Sequence, residues 1–176
     1  KSLPSVNKRS VLLAPTGRAA KVLSKCSNKQ ASTIHRKIYW IRSRKNGNTY
    51  IKIKENTHSN TIFIVDEASM IPEASDKSFG NRSLLDDLIE YVYDGIGCKL
   101  VLIGDTAQLP PVHLDISPAL DHGFLKNTYS KDIITYTMKE VVRQSKDSTV
   151  LLNATILRDR LGSEDYRFPK FELSSD

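Results

Sequence analysis

Thr61-Ile62-Phe63-Ile64-Val65-Asp66-Glu67 joins a run of β-branched and aromatic residues to two adjacent carboxylates. A short run with no polar alternation is how a strand buried on both faces of a parallel sheet reads. Upstream, Val11-Leu12-Leu13-Ala14 is a similar run, closed by Pro15-Thr16-Gly17. Ala19, Ala20, Val22 and Leu23 then follow at helical spacing, which predicts strand, turn and helix. Downstream, Leu84, Leu85, Leu88, Ile89 and Val92 mark an amphipathic helix. Leu100 to Ile103 read as a second buried strand and Ile133 to Tyr136 as a third candidate. Strands alternating with helices predict an α/β fold on a mostly parallel sheet. Such sheets bind ligands beyond the carboxyl ends of their strands. Those ends are Pro15-Thr16, Asp66-Glu67 and Gly104-Asp105, so chemistry is expected on that edge.

The segment between the first two strands has a different texture. Residues 32–40 suit a short helix starting at Ser32 or Thr33, both good N-caps. Two β-forming runs, Tyr39 to Arg44 and Thr49 to Lys54, flank Asn46-Gly47, a strong hairpin signal. A basic β-hairpin is therefore expected within 39–54; Trp40, Tyr39 and Tyr50 are available to stack on bases or, the preferred reading for Trp40, to pack the hairpin onto the domain. Residues 117–125 suit a short helix. Val150, Leu151, Ala154, Leu157 and Leu161 suit a last one, with Gly162 as its stop.

Composition narrows the partners. A hydrophobic share of 39% suffices for a packed core. No apolar run approaches the roughly 20 residues of a membrane span, and residues 1–10 lack the apolar stretch of a secretory leader. Cys26 and Cys98 have no metal-ligand spacing and read as buried thiols in a reducing, cytoplasmic setting. The net charge of +6 is unevenly spread. Residues 1–60 carry 14 Lys and Arg against the single acid Glu55, a balance of +13. The remainder carries 12 against 19 acids, a balance of −7. Such asymmetry suits a polyanion on the N-terminal third, or equally a solvated basic face without a partner.

An apolar strand ending in Asp-Glu is the Walker B arrangement. Asp66 is the candidate ligand for Mg²⁺, which takes oxygen donors and keeps several waters. Glu67 is the candidate base for the attacking water. The plainer reading is a turn, or a helix cap, after a core strand. In Gly104-Asp105-Thr106-Ala107-Gln108-Leu109-Pro110-Pro111, the Gln108 amide suits a γ-phosphate or that water. A stiff proline-ended loop is its plainer reading. Arg143 suits charge developing on a transferred phosphoryl group, or an ordinary surface ion pair. Pro15-Thr16-Gly17-Arg18 and Thr33-Ile34-His35-Arg36 open helices whose free N–H groups suit a phosphate backbone. Otherwise the threonines are caps and His35 is structural. Arg42, Arg44, Lys45, Lys52 and Lys54 give the hairpin its basic surface.

Taken in order, these pieces resemble superfamily 1 helicases of the RecD-like and Dda-like branch. LLAPTGRAAKVLS at 12–24 is similar to motif Ia and STIHRKIY at 32–39 to motif Ib. FIVDEASMI at 63–71 is similar to motif II, LVLIGDTAQLPPV at 100–112 to motif III and MKEVVRQ at 138–144 to motif IV. The resemblance implies a P-loop NTPase of RecA-like fold, with ATP and Mg²⁺ as cofactors. Asp66, Glu67, Gln108 and Arg143 would hold and hydrolyse nucleotide. Pro15, Thr16, Gly17, Arg18, Thr33 and His35 would grip single-stranded DNA. The inserted hairpin would be the pin that meets a duplex junction, and movement would run five-prime to three-prime.

One departure matters. The family's first motif, a strand followed by GxxxxGK and Ser or Thr, has no counterpart in these 176 residues. Gly95-Ile96-Gly97-Cys98-Lys99 is too tightly spaced and runs into a strand instead of out of one. Without that loop there is no backbone cradle and no Lys for the phosphates. A phosphate loop is expected within about 50 residues upstream of Lys1, roughly one βα unit and its linker. The expected organisation is an incomplete first RecA-like domain at 1–38 and 57–140, a hairpin at 39–56, and motif IV with the entry to a second domain at 141–176. This polypeptide alone is expected to be inactive. A non-catalytic nucleic-acid-binding module that has lost its phosphate loop is the competing expectation.

Overall fold

The computed structural model describes residues 8–43, 49–72, 83–108, 117–138, 149–161, 167 and 169–172. They fall into two compact units, Lys1–Ile133 and Ile134–Asp176. In the first, β1 (Arg9–Ala14), β2 (Ala31–Thr33), β5 (Thr61–Val65) and β6 (Lys99–Leu102) form a parallel sheet in the order β2-β1-β5-β6. Helices α1 (Gly17–Ser27), α2 (Ile34–Ile38), α3 (Leu84–Asp94) and α4 (His122–Tyr129) surround it. The antiparallel pair β3 (Tyr39–Ser43) and β4 (Thr49–Ile53) is a separate two-stranded sheet inserted between α2 and β5. This is the α/β P-loop NTPase architecture with its small inserted hairpin.

Local chemistry sets the helix ends. The Thr16 side chain accepts from the Ala19 N–H (3.2 Å) and opens α1, and Asn28 closes it in the left-handed region. Ser83 and Asp86 form a reciprocal capping box at α3. Asp121 caps α4 through the Phe124 N–H.

The core gathers where α3 lies under the sheet. Phe63, Leu13, Val65, Leu85, Leu88 and Val92 are buried there. The Phe63 ring sits at the centre, edge-on to Tyr91 (5.9 Å) and His58 (5.3 Å). Tyr39 docks the hairpin: its hydroxyl donates to Asp87 (2.7 Å) in the interior. That bond satisfies a carboxylate that is only 3% exposed.

Several sequence expectations are corrected. Trp40 does not pack the hairpin onto the domain; it is 59% exposed, and Tyr39 takes that role. Residues 100–103 are not a strand buried on both faces. β6 is the last strand in the sheet order, and Val101 is 41% exposed. Ile133 to Tyr136 form no strand, because a strand requires a ladder partner and none pairs with them among the described residues. The helix expected over 32–40 spans only Ile34–Ile38, capped by Thr33, and Ala31–Thr33 is a parallel edge strand against β1. Residues 117–125 split into a 3₁₀ turn at Pro118–Leu120 and α4. Cys98 is buried, but Cys26 is exposed. In the second unit α5 (Thr149–Leu161) is present, and Gly162 lies outside the described residues. No described helix is long and apolar enough to cross a membrane.

Candidate nucleotide and nucleic-acid site

Parallel pairing brings four strand ends to one edge. Ala14 lies opposite Thr33, Leu13 opposite Val65, and Val65 opposite Leu102. The turn segments that follow therefore start side by side. They hold Pro15 and Thr16, Ile34 and His35, Asp66 and Glu67, and Gly104 and Asp105.

The acidic turn is anchored on both sides. The Asp66 N–H donates to the Leu13 carbonyl (2.9 Å), and the Ala68 N–H donates to the Ile103 carbonyl (2.8 Å). The Asp66 carboxylate accepts from the Glu67 N–H (3.0 Å). Glu67 itself lies in the left-handed region, at φ 56° and ψ 38°. A residue with a Cβ pays roughly 1–2 kcal/mol for that conformation. Two residues on, the Ser69 hydroxyl is buried and has no hydrogen-bond partner among the described residues.

The loop after β6 is locked to this turn. A Cβ on Gly104 would stand 2.9 Å from the Ser69 nitrogen and 2.8 Å from Leu120 Cδ1, so only glycine allows the two backbones to approach. Asp105 then turns the chain, accepting at its side chain from the Ala107 N–H (3.0 Å) and at its carbonyl from the Gln108 N–H (3.2 Å). The Gln108 side chain is exposed. Arg143, Pro110 and Pro111 lie outside the described residues.

The donor set fits Mg²⁺. Oxygen ligands are what that ion takes, and it is usually held by one or two carboxylates plus substrate phosphates. Asp66 supplies one carboxylate of that kind, and no group of three or more candidate ligands stands together among the described residues.

On the β1 and β2 side, Thr33 caps α2 by accepting from the Arg36 N–H (3.2 Å), as Thr16 caps α1. Capping and ligand binding are compatible, because a hydroxyl that accepts one hydrogen bond still donates another. Gly17 and Arg18 are exposed at the start of α1, and a Cβ on Gly17 would meet nothing within 4 Å. The His35 ring is half-buried and lies 5.7 Å from that of Tyr39. Sequence reasoning missed the left-handed Glu67, the buried Ser69 hydroxyl and the steric need for Gly104. Only the spacing of Gly104 after an apolar run hinted at the last.

A basic cluster lies where the hairpin joins the sheet. The Lys37 ammonium has only protons to give, so it donates to His58 Nε2 (2.8 Å), which must be unprotonated. Burial first, then Lys37 and Arg9, hold the His58 pKa below its usual value. Burial and Lys54 lower that of Lys37. A histidine whose folded pKa is depressed stabilises the fold above its unfolded pKa near 6.5, and that contribution is lost as pH falls through the folded value. The thermal midpoint is therefore expected to drop between pH 7.5 and 5.5, and to drop less in His58→Gln; equal drops would contradict this account.

The AAA domain family matches residues 3–164. The chain is also 29% identical, over 140 residues, to the ATP-dependent RecD2 DNA helicase of Deinococcus radiodurans. That alignment covers 80% of this chain and 16% of the helicase.

Proposed function

Because the chain belongs to the AAA domain family and resembles RecD-like superfamily 1 helicases, we propose that it is part of an ATP-driven DNA helicase or translocase. The observation that carries this reading is the shared edge: an Asp-Glu pair, a Gln-bearing loop and two capped helix starts stand at adjacent parallel strand ends.

Each residue then has a task. Asp66 would hold Mg²⁺, and Glu67 would orient the attacking water and take its proton. Gln108 and Arg143 contact the terminal phosphate. The metal, when bound, neutralises charge on the phosphates. The backbone cradle and Lys for those phosphates come from a phosphate loop outside these 176 residues, so this polypeptide by itself neither binds ATP tightly nor hydrolyses it. Pro15, Thr16, Gly17, Arg18, Thr33 and His35 hold single-stranded DNA, and the hairpin of residues 39–56 meets a duplex junction. Movement runs five-prime to three-prime, as in the family it resembles. Coupling follows from the turn geometry. The Ala68-to-Ile103 hydrogen bond and the Gly104 contact oblige the acid turn and the Gln108 loop to move together.

Thr16→Asp tests the grip without unfolding the helix. Aspartate caps as well as threonine does, but it loses the donor and repels phosphate. Its melting temperature should match that of the wild type, while affinity for single-stranded DNA falls about tenfold, the scale of one lost charge-assisted contact. His35→Ala should weaken binding in the same direction. Unchanged affinity in both would return these residues to cap and packing roles and remove the nucleic-acid half of the proposal.

A further inference from the structure

The hairpin has two chemically distinct faces. One carries Tyr39, Ile51 and Ile53 toward the core. On the other, Trp40 stands directly opposite Lys52, with Lys54 two residues on. The Lys54 ammonium lies 4.9 Å from the centre of the Trp40 ring and also donates to the Arg36 carbonyl (2.7 Å), which holds it in place. Trp40 remains 59% exposed. Beside it opens a cleft of about 440 Å³ whose far wall is the α3 segment Glu90, Tyr91 and Asp94, with Glu55 at its edge. A solvent-facing tryptophan stiffened by a lysine contributes nothing to the core, and nothing in the core requires it.

We propose that this cleft is a nucleobase-stacking subsite, taking one base of a single-stranded nucleic acid against Trp40 while Lys52 meets the adjoining phosphate. It rests on the nucleic-acid partner argued above but lies on the hairpin, away from the strand-end edge. Charge on the hairpin side suits this occupant: Lys52 and Lys54 stand beside Trp40, in a segment with a balance of +13 over residues 1–60, although the lining as a whole also holds the acids Glu55, Glu90 and Asp94. A cationic ligand is disfavoured, because Lys54 already takes the cation's place over one face of the ring, while the 59% of Trp40 that stays exposed is left for a base. The acids of the far wall repel a phosphate, which directs the base inward and the backbone outward. Glu55, Glu90 and Asp94 accept hydrogen bonds from an exocyclic amino group, which cytosine carries and thymine lacks. The subsite therefore prefers oligo(dC) to oligo(dT). Asp94 also accepts from the Asn56 N–H (3.3 Å), which fixes that wall to the hairpin's exit.

Trp40 is the single tryptophan of the chain, so its emission reports on this cleft alone. Unlabelled oligo(dC) titrated into the wild-type protein should quench that emission, with the same midpoint as the anisotropy rise of a labelled oligo(dC). Trp40→Ala should weaken anisotropy-detected binding about tenfold, within the range measured for base–aromatic stacking. Lys52→Ala should weaken it less, and Trp40→Ala should abolish the advantage over oligo(dT). An anisotropy rise with unchanged tryptophan emission would overturn this subsite and leave the proposed function standing. No anisotropy change at all would overturn both.

Discussion

Glu67→Gln, made in the protein that joins this sequence to a phosphate loop, is expected to lose about 10²- to 10⁴-fold in ATP hydrolysis while keeping its affinity for single-stranded DNA. That range is what a positioned general base contributes. The substitution isolates the chemistry because glutamine matches glutamate in shape. The backbone N–H that donates to Asp66 is unchanged, and the left-handed conformation at position 67 costs glutamine about what it costs glutamate. What disappears is the capacity to take a proton. Steady-state ATPase assays with and without oligonucleotide, beside an anisotropy titration, separate the two readouts. Retained hydrolysis would mean that Glu67 is only the residue that turns the chain out of β5. A parallel loss of DNA binding would mean that the change disturbed the sheet edge instead of the reaction.

Phe63→Ala is expected to be the most destabilising single substitution among the described residues, at about 3–5 kcal/mol, the usual range for truncating a buried aromatic. Phe63 is fully buried in β5, which lies between β1 and β6. Its ring is the edge-to-face partner of both Tyr91 and His58. Removing it leaves a cavity between the sheet and α3 and loosens the strand that ends in Asp66 and Glu67. Stabilities of marginal domains are of this same order, so the expected readout is a large shift in chemical denaturation midpoint or failure to fold. A loss below about 1 kcal/mol would show that α3 repacks freely and that the position of the acid turn does not depend on this contact.

The elements that were legible are those whose own residues carry the full signal. β1 and β5 are apolar runs too short to be helices and bounded by turn residues. α3 has its apolar stripe in sequence, whereas its capping box at Ser83 and Asp86 came only with the structure. The hairpin follows from Asn46-Gly47 between β-formers, although residues 44–48 themselves lie outside the described residues. The candidate site was half legible. Asp66 and Glu67 stand out because carboxylates directly after a core strand are conspicuous, and Thr16 and Thr33 because caps have a residue preference. Ser69 and Gly104 were not, because a buried hydroxyl and a forbidden Cβ are properties of a neighbour that lies elsewhere in the chain.

The misreadings share that cause. Three residues with no apolar run, Ala31 to Thr33, become a strand only because β1 offers them an edge. Four good β-formers, Ile133 to Tyr136, do not become one where no ladder is offered among the described residues. Alternation along Tyr39 and Trp40 shows that they face opposite ways but not which of them faces the core. Asp87, nearly fifty residues on, decides that by requiring a buried donor. By itself, then, the sequence determined the order of helices and strands and the chemical character of their ends, because these depend on residues a few positions apart. Which strand lies at the sheet edge, which hairpin face meets solvent, and how the acid turn is held against the Gln108 loop were decided only by tertiary packing, since hydrogen bonds and van der Waals contacts act between atoms a few ångströms apart, wherever they stand in the chain.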